Sequence, residues 1–418
     1  MFGVSVVVKK LQFVKLLLQM SDCGCLSDFY LDNPPQKFSY WTFIQLAACA
    51  AGKNRKFKEF YMQKKIIALA VAAALVAPAA FADTSNVTVY GKLFADFENV
   101  KSSNVGAGVS NSLNRVSSNA SRFGIKGSED LGDGMKAVWQ YEAQFDLNGG
   151  GAAGTAGFGN GTRNSHVGLA GGFGTAAIGV WDSPYKLSHN KVELFDNTTF
   201  GSAINVLGRV NGGLNMNNRL ANSVTYWTPN LSGFAAQFAY GTDNAKTNAL
   251  NKSVVSMNAS YENDMFYAAF GYESFKDVNL ANAALAGNKA DGNRLVGAYK
   301  FDQGLVGLPS ERLSGTTAGV SATRNAWELA GKYTMGASNI GLSYVKAGNL
   351  GAAVNSGAKQ LSLRYGYNFS KRTELYGMYS ALTNDAAANY NFTGGNIVTG
   401  SVAGAKLSGF GVGLVHTF

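Results

Sequence analysis

The chain has 418 residues, 46% of them hydrophobic and 15% charged, with 51 glycines, only 6 prolines and a formal net charge of +10. A water-soluble protein of this length is expected to divide into two or three domains with a charged fraction of about 25%, and this composition fits that pattern poorly. All three cysteines, Cys23, Cys25 and Cys49, precede residue 83, which excludes disulfide and thiolate chemistry from everything after it.

The first recognisable element begins at Met62. Gln63, Lys64 and Lys65 lead into an apolar run from Ile66 to Val76, followed by Pro78 and Ala80-Phe81-Ala82. A charged start, an apolar stretch of about 7–15 residues and an A-x-A site predict a secretory signal peptide over 62–82, with Ala80 and Ala82 marking cleavage and Asp83 the mature start. The run is shorter than the ~20 apolar residues that a membrane-spanning helix needs. Residues 1–61 lie upstream of that complete signal and show neither strand nor helix periodicity. They read as an extension from a misplaced start codon, with a genuine long leader as the alternative. Ten basic and four acidic residues precede Asp83, so processing lowers the net charge to +4. No basic motif with interleaved aromatics marks nucleic acid as a partner.

From Val87 onward period two dominates. Met135, Ala137, Trp139, Tyr141, Ala143 and Phe145 alternate with Lys136, Val138, Gln140, Glu142, Gln144 and Asp146. The stretches Val255 to Glu262, Trp327 to Thr334 and Leu361 to Phe369 alternate in the same way. Strands of about 9–11 residues suit a tilted membrane crossing better than a soluble sandwich. Tight turns at Asp130 to Gly134, Gly171 to Gly174, Glu262 to Asp264 and Ser370 to Arg372 alternate with long polar connections. The long ones run from Asn99 to Ala120, Asn148 to Thr162, Ser183 to Asn218, Lys276 to Asp291 and Asn384 to Gly404. Short turns at one end and long loops at the other predict an all-β, 16-stranded antiparallel transmembrane barrel in a bacterial outer membrane. Its strands start near 87, 119, 134, 163, 174, 219, 232, 253, 265, 293, 304, 325, 339, 358, 373 and 405. Alternation is weakest over Gly304 to Leu308, which leaves fourteen and eighteen strands open.

Cost assigns the two faces. A Lys or Arg facing lipid at midplane costs roughly 2–4 kcal/mol, so Lys136, Lys332 and Arg364 are expected in the lumen, with Glu142 on the same polar face as Lys136. The opposite faces are apolar, and Trp139, Tyr141, Trp327, Tyr333, Tyr365, Tyr367 and Phe369 are candidates for interfacial girdles. A barrel of sixteen strands encloses an aqueous channel.

Several stretches, in order, resemble the general porins of Gram-negative bacteria, in particular the neisserial and β-proteobacterial branch. They are Val87 to Gly91, Ser121 to Gly132, Val167 to Gly174, Asn222 to Tyr226 with Pro229, and Ser370 to Tyr376. The resemblance implies a homotrimer that lets ions and small hydrophilic solutes diffuse passively, with membrane lipid as its surroundings and no cofactor. It implies a third loop, here Ser183 to Asn218, folded into the barrel. The loop acids Asp182, Glu193 and Asp196 would then face a basic wall of Lys92, Arg122 and Lys126, which share one face by parity. Opposed charges across a constriction filter solutes by size and charge. The terminal Phe418, on a face with Phe410, Val412 and Leu414, is similar to the family's assembly signal. One departure concerns the basic cluster: Gly179-Val180-Trp181 stands where the family commonly carries Arg.

An enzyme barrel is the main alternative of another class. His166, His189 and His416 sit in no Ser/His/Asp or metal motif, so no catalytic residue and no metal site is expected. A substrate-specific channel with a lumenal aromatic track is disfavoured by aromatics that mostly occupy the other face. A plugged adhesive barrel would need a plug sequence, and none is evident.

Overall fold

The computed structural model describes residues 86–148, 162–209, 215–278, 287–317, 319–392, 398 and 400–418. The expected signal peptide, with Ala80 and Ala82, and residues 1–61 lie outside the described residues. One antiparallel sheet contains β1 (Asn86–Ser102), β2 (Ser112–Ser118), β3 (Arg122–Gly132), β4 (Met135–Gln144), β5 (Ser165–Gly171), β6 (Gly174–Asp182), β7 (Arg219–Trp227), β8 (Phe234–Gly241) and β9 (Ser253–Glu262). It continues through β10 (Phe266–Lys276), β11 (Lys289–Phe301), β12 (Gly304–Thr317), β13 (Val320–Met335), β14 (Ser338–Ala347), β15 (Ala358–Ser370), β16 (Thr373–Asn384) and β17 (Lys406–Thr417). From β3 onward each strand pairs with the next, and β17 pairs with β1, so the sheet closes. Both β2 and β3 pair with β1, along Ala95 to Lys101 and Asn86 to Lys92. They are two halves of one barrel strand, and the barrel is 16-stranded.

The break between those halves corrects the expected long connection from Asn99 to Ala120. Strand pairing continues to Ser102 and resumes at Ser112, so the excursion is shorter and the second barrel strand starts earlier than 119. Ala120 takes a positive φ of 55° and lifts Asn119 to Ser121 out of the ladder. The Ser121 hydroxyl accepts from the Phe94 amide at 2.9 Å and lies 3.1 Å from the Phe94 carbonyl, replacing the interrupted pairing.

The stretch over Gly304 to Leu308 belongs to a 14-residue strand. Its alternation is obscured by Gly304, Gly307 and Pro309. Pro309 has no amide to donate, and the β12–β13 ladder omits Leu308 and Pro309 between Gly307↔Ala330 and Ser310↔Trp327.

Burial alternates along the strands with the apolar side outward. In β11, Leu295 is 63% exposed between the buried Arg294 and Val296. Ile178, Phe234, Leu308, Phe410 and Val412 are similarly exposed, forming the lipid-facing belt, while charged and small side chains turn inward. The chain end completes closure. Gly91 and Phe418 exchange backbone hydrogen bonds of 3.0 and 3.1 Å, and a Cβ on Gly91 would meet the Phe418 ring at 2.2 Å.

Candidate functional site: the constriction of the lumen

The connection between β6 and β7 folds into the barrel. It starts with a short helix, α1 (Pro184–His189), whose first turn is capped by the Ser183 hydroxyl accepting from the Lys186 amide at 3.1 Å. Tyr185 is fully buried: its amide donates to Ser256 at 3.0 Å and its hydroxyl to Glu311 at 2.9 Å. His189 lies 2.6 Å from Glu328, and Val192 packs among Tyr267, Ala269, Val296 and Ala298. Further on, Gln360 donates to the carbonyls of Phe200 and Ser202 at 3.2 Å. Phe200 fits because β17 offers Gly409, where a Cβ would stand 2.7 Å from its ring. The loop returns through Gly208, whose amide donates to Glu311 at 2.7 Å. These bonds tie the loop to β9, β12, β13 and β15, leaving the wall of β3 to β8 facing the open lumen.

Glu311 is the central fastening. Its carboxylate lies 2.7 Å from Arg294 and 2.9 Å from Arg324, all three being buried. Together with Tyr185 and the Gly208 amide, these partners satisfy both carboxylate oxygens. A buried charge of either sign is tolerated only when paired and hydrogen-bonded in this way.

On the β1 side the loop meets the wall, where Lys92 is ion-paired to Asp196. Burial pushes the Asp196 carboxyl up, but the Lys92 ammonium, helped by Arg122 and the Thr198 hydroxyl, outweighs it and holds the group at about 2. Glu142 stands among Arg163 at 2.5 Å, Arg122 at 3.7 Å and the Tyr90 hydroxyl at 3.1 Å. Lys126, exposed, lies 5.4 Å from the centre of the Tyr90 ring. At the root of the loop Asp182 lies 2.7 Å from Lys186 and 3.3 Å from Arg219. Burial pushes the Lys186 ammonium down, and Asp182 opposes that shift.

Of the residues expected from sequence, the structure thus brings together Lys92, Arg122, Glu142 and Asp196, with Lys126 beside them through Tyr90. Asp182 serves the base of the loop instead of crossing the passage. Glu193 sits behind the loop: it accepts from the Phe195 amide and the Ser202 hydroxyl, both at 2.9 Å, and lies 3.9 Å from His189. Lys332 and Arg364 line a 160 Å³ cavity there with Lys191 and Glu193. Lys136 pairs in register with Asp130 near the tight turn, away from this group. Arg163, Lys186 and Arg219 were missed by sequence reasoning. Arg219 opens β7 and Arg163 lies two residues before β5, where parity gives little guidance, and Lys186 lies in an aperiodic loop. The lumen also holds more aromatics than expected, including Tyr90, Phe94, Tyr185, Trp181, Trp227 and Tyr376.

The comparisons agree with this architecture. A family model described as Gram-negative porin matches residues 68–413. Outer membrane porin protein 32 of Delftia acidovorans is 31% identical over 366 residues, covering 85% of this chain and all of that one. A major outer membrane protein P.IB of Neisseria gonorrhoeae is 31% identical over 336 residues, covering 75% and 91% of the two chains. Among solved structures, the anion-selective porin from Comamonas acidovorans superposes with a TM-score of 0.70 at 27% identity, over 80% of this chain and all of that one. A closed 16-stranded barrel, lipid-facing outside and polar within, together with these matches, shows that the chain belongs to the Gram-negative porins, general diffusion channels of the outer membrane.

Proposed function

We propose that this porin passes small hydrophilic solutes with a preference for anions, selected at the passage between the inward loop and the wall of β1 and β3 to β7. The observation that carries the reading is the charge balance there. Lys92, Arg122, Arg163 and the neighbouring Lys126 meet Glu142 and Asp196, an excess of two positive charges, and at the root of the loop Lys186 and Arg219 meet Asp182 with one more. Charges lining a narrow passage set ion preference through their net field. The arginines at 163 and 219 make up for the Trp181 departure, and the anion-selective relative supports the same sign.

The reading includes export through the signal over 62–82, a mature chain beginning at Asp83, and a homotrimer of the kind the family resemblance implies. Phe418 then acts as the terminal assembly signal. The test is the zero-current potential of the refolded chain in a KCl gradient. The wild type is expected on the chloride side, and the double variant Arg122→Gln/Arg163→Gln is expected to move toward the potassium side. A cation-selective wild type would overturn the proposal.

A further inference from the structure

The lumen wall of β5 to β7 carries three rings that diffusion of hydrophilic solutes does not require. Trp181 and His166 lie 4.7 Å apart between ring centres, Trp181 and Trp227 5.3 Å, and His166 and Trp227 5.9 Å. His166 pairs in register with Gly179, and Trp227 with Thr175, which places both on the inward face, opposite in parity to the lipid-exposed Ile178 and Val167. Trp181, two residues beyond Gly179, falls on the same wall by parity, the extra residue of the local irregularity lying in β7. All three are half-buried, so ring surface remains open to the water-filled passage. Exposed aromatic surface in a polar lumen is unfavourable unless something apolar covers it.

What surrounds the rings specifies the solute. The next residue pair after Trp181 is Asp182 with Arg219, and Arg219 also donates to Asn164 at 3.1 Å, two residues before His166. Arg163 follows on the same rim, so the local charge is positive. His166 Nδ1 and Gln237 Oε1, the latter in register with Trp227, are buried and have no protein partner within hydrogen-bond reach among the described residues. A flat apolar body with one anionic end matches an aromatic platform beside arginines.

We propose that Trp181, Trp227 and His166 form a subsite for small aromatic carboxylates, the solute ring packing on the indoles and its carboxylate turned toward Arg219. The subsite rests on the anion-preferring pore described above and adds a solute class to it. The test compares benzoate with cyclohexanecarboxylate, of the same charge and similar size, on KCl current through the refolded wild type. Benzoate is expected to reduce the current saturably, with a half-blocking concentration about fivefold lower, the worth of one good aromatic contact. In Trp181→Leu/Trp227→Leu the two solutes should become equal, and Trp181→Phe/Trp227→Phe should keep part of the difference. Equal block by both solutes in the wild type would overturn the subsite while leaving the pore reading intact. Should the barrel not conduct, the pore reading fails on its own. Tryptophan emission titrated with the same two solutes then decides the subsite: a saturable response to benzoate supports it, and none overturns it.

Discussion

Glu311 shows how much of the passage depends on single side chains far apart in sequence. It holds Tyr185 and Gly208 of the loop while neutralising Arg294 and Arg324 of the wall. Glu311→Ala leaves two buried guanidinium groups facing each other, and breaking a buried pair costs about 3–5 kcal/mol. The urea midpoint of the folded barrel in detergent is expected to fall accordingly, and current through single channels to become noisier as the loop loosens. Behind the same loop, burial pushes the Glu193 carboxyl up to about 7, with His189 opposing and Glu328 adding to the shift. Its folded value lies above the ordinary 4.5, so the folded state holds the proton more tightly. That stabilisation is full below about 4.5 and is lost as pH rises through about 7. Urea midpoints measured across this window should decline toward neutral pH, and Glu193→Gln should flatten the decline. The groups facing Glu193 are His189, Ser202, the Phe195 amide and Glu328, which itself accepts from Ser343 at 2.6 Å, with Lys191, Lys332 and Arg364 lining the cavity beside it.

Among the elements, the divided second strand is the most instructive. Ser121 satisfies Phe94 where Ala120 interrupts the ladder. Ser121→Ala removes the acceptor for a buried amide, with an expected loss of about 1–3 kcal/mol in unfolding experiments and no change in strand content by circular dichroism. Strand positions were legible because membrane crossing enforces period two: starts expected at 174, 219, 253, 304, 358 and 373 coincide with β6, β7, β9, β12, β15 and β16. The break at Ala120 was not legible, since nothing in Asn119-Ala120-Ser121 signals a positive φ. The path of the loop was equally hidden. Its bonds join residues as distant as Tyr185 and Glu311 or His189 and Glu328, and no local periodicity encodes such pairs. Parity did find Lys92 and Arg122 on one face, but it could not tell that Asp196 reaches Lys92 while Glu193 turns away toward His189. The departure at Trp181 was visible in the sequence, whereas its neighbours Trp227 and His166 became apparent only once β5, β6 and β7 lay side by side.

At the scale of the whole molecule, the fold inverts a soluble protein. Apolar side chains face outward to lipid, and the buried interior is a charged wall and a loop fastened across it. Closure removes the sheet edges through β1 and β17, sealed by the Gly91 and Phe418 exchange. The loop's fastenings run from β9 round to Lys92 of β1, and the channel follows from the wall of β3 to β7 that they leave free. The most direct measurement is single-channel conductance of the refolded chain from Asp83 to Phe418 in a planar bilayer under a salt gradient. Stepwise, ohmic openings in groups of three are expected, with a zero-current potential on the anion side. A correctly folded barrel that never conducts would contradict the open channel.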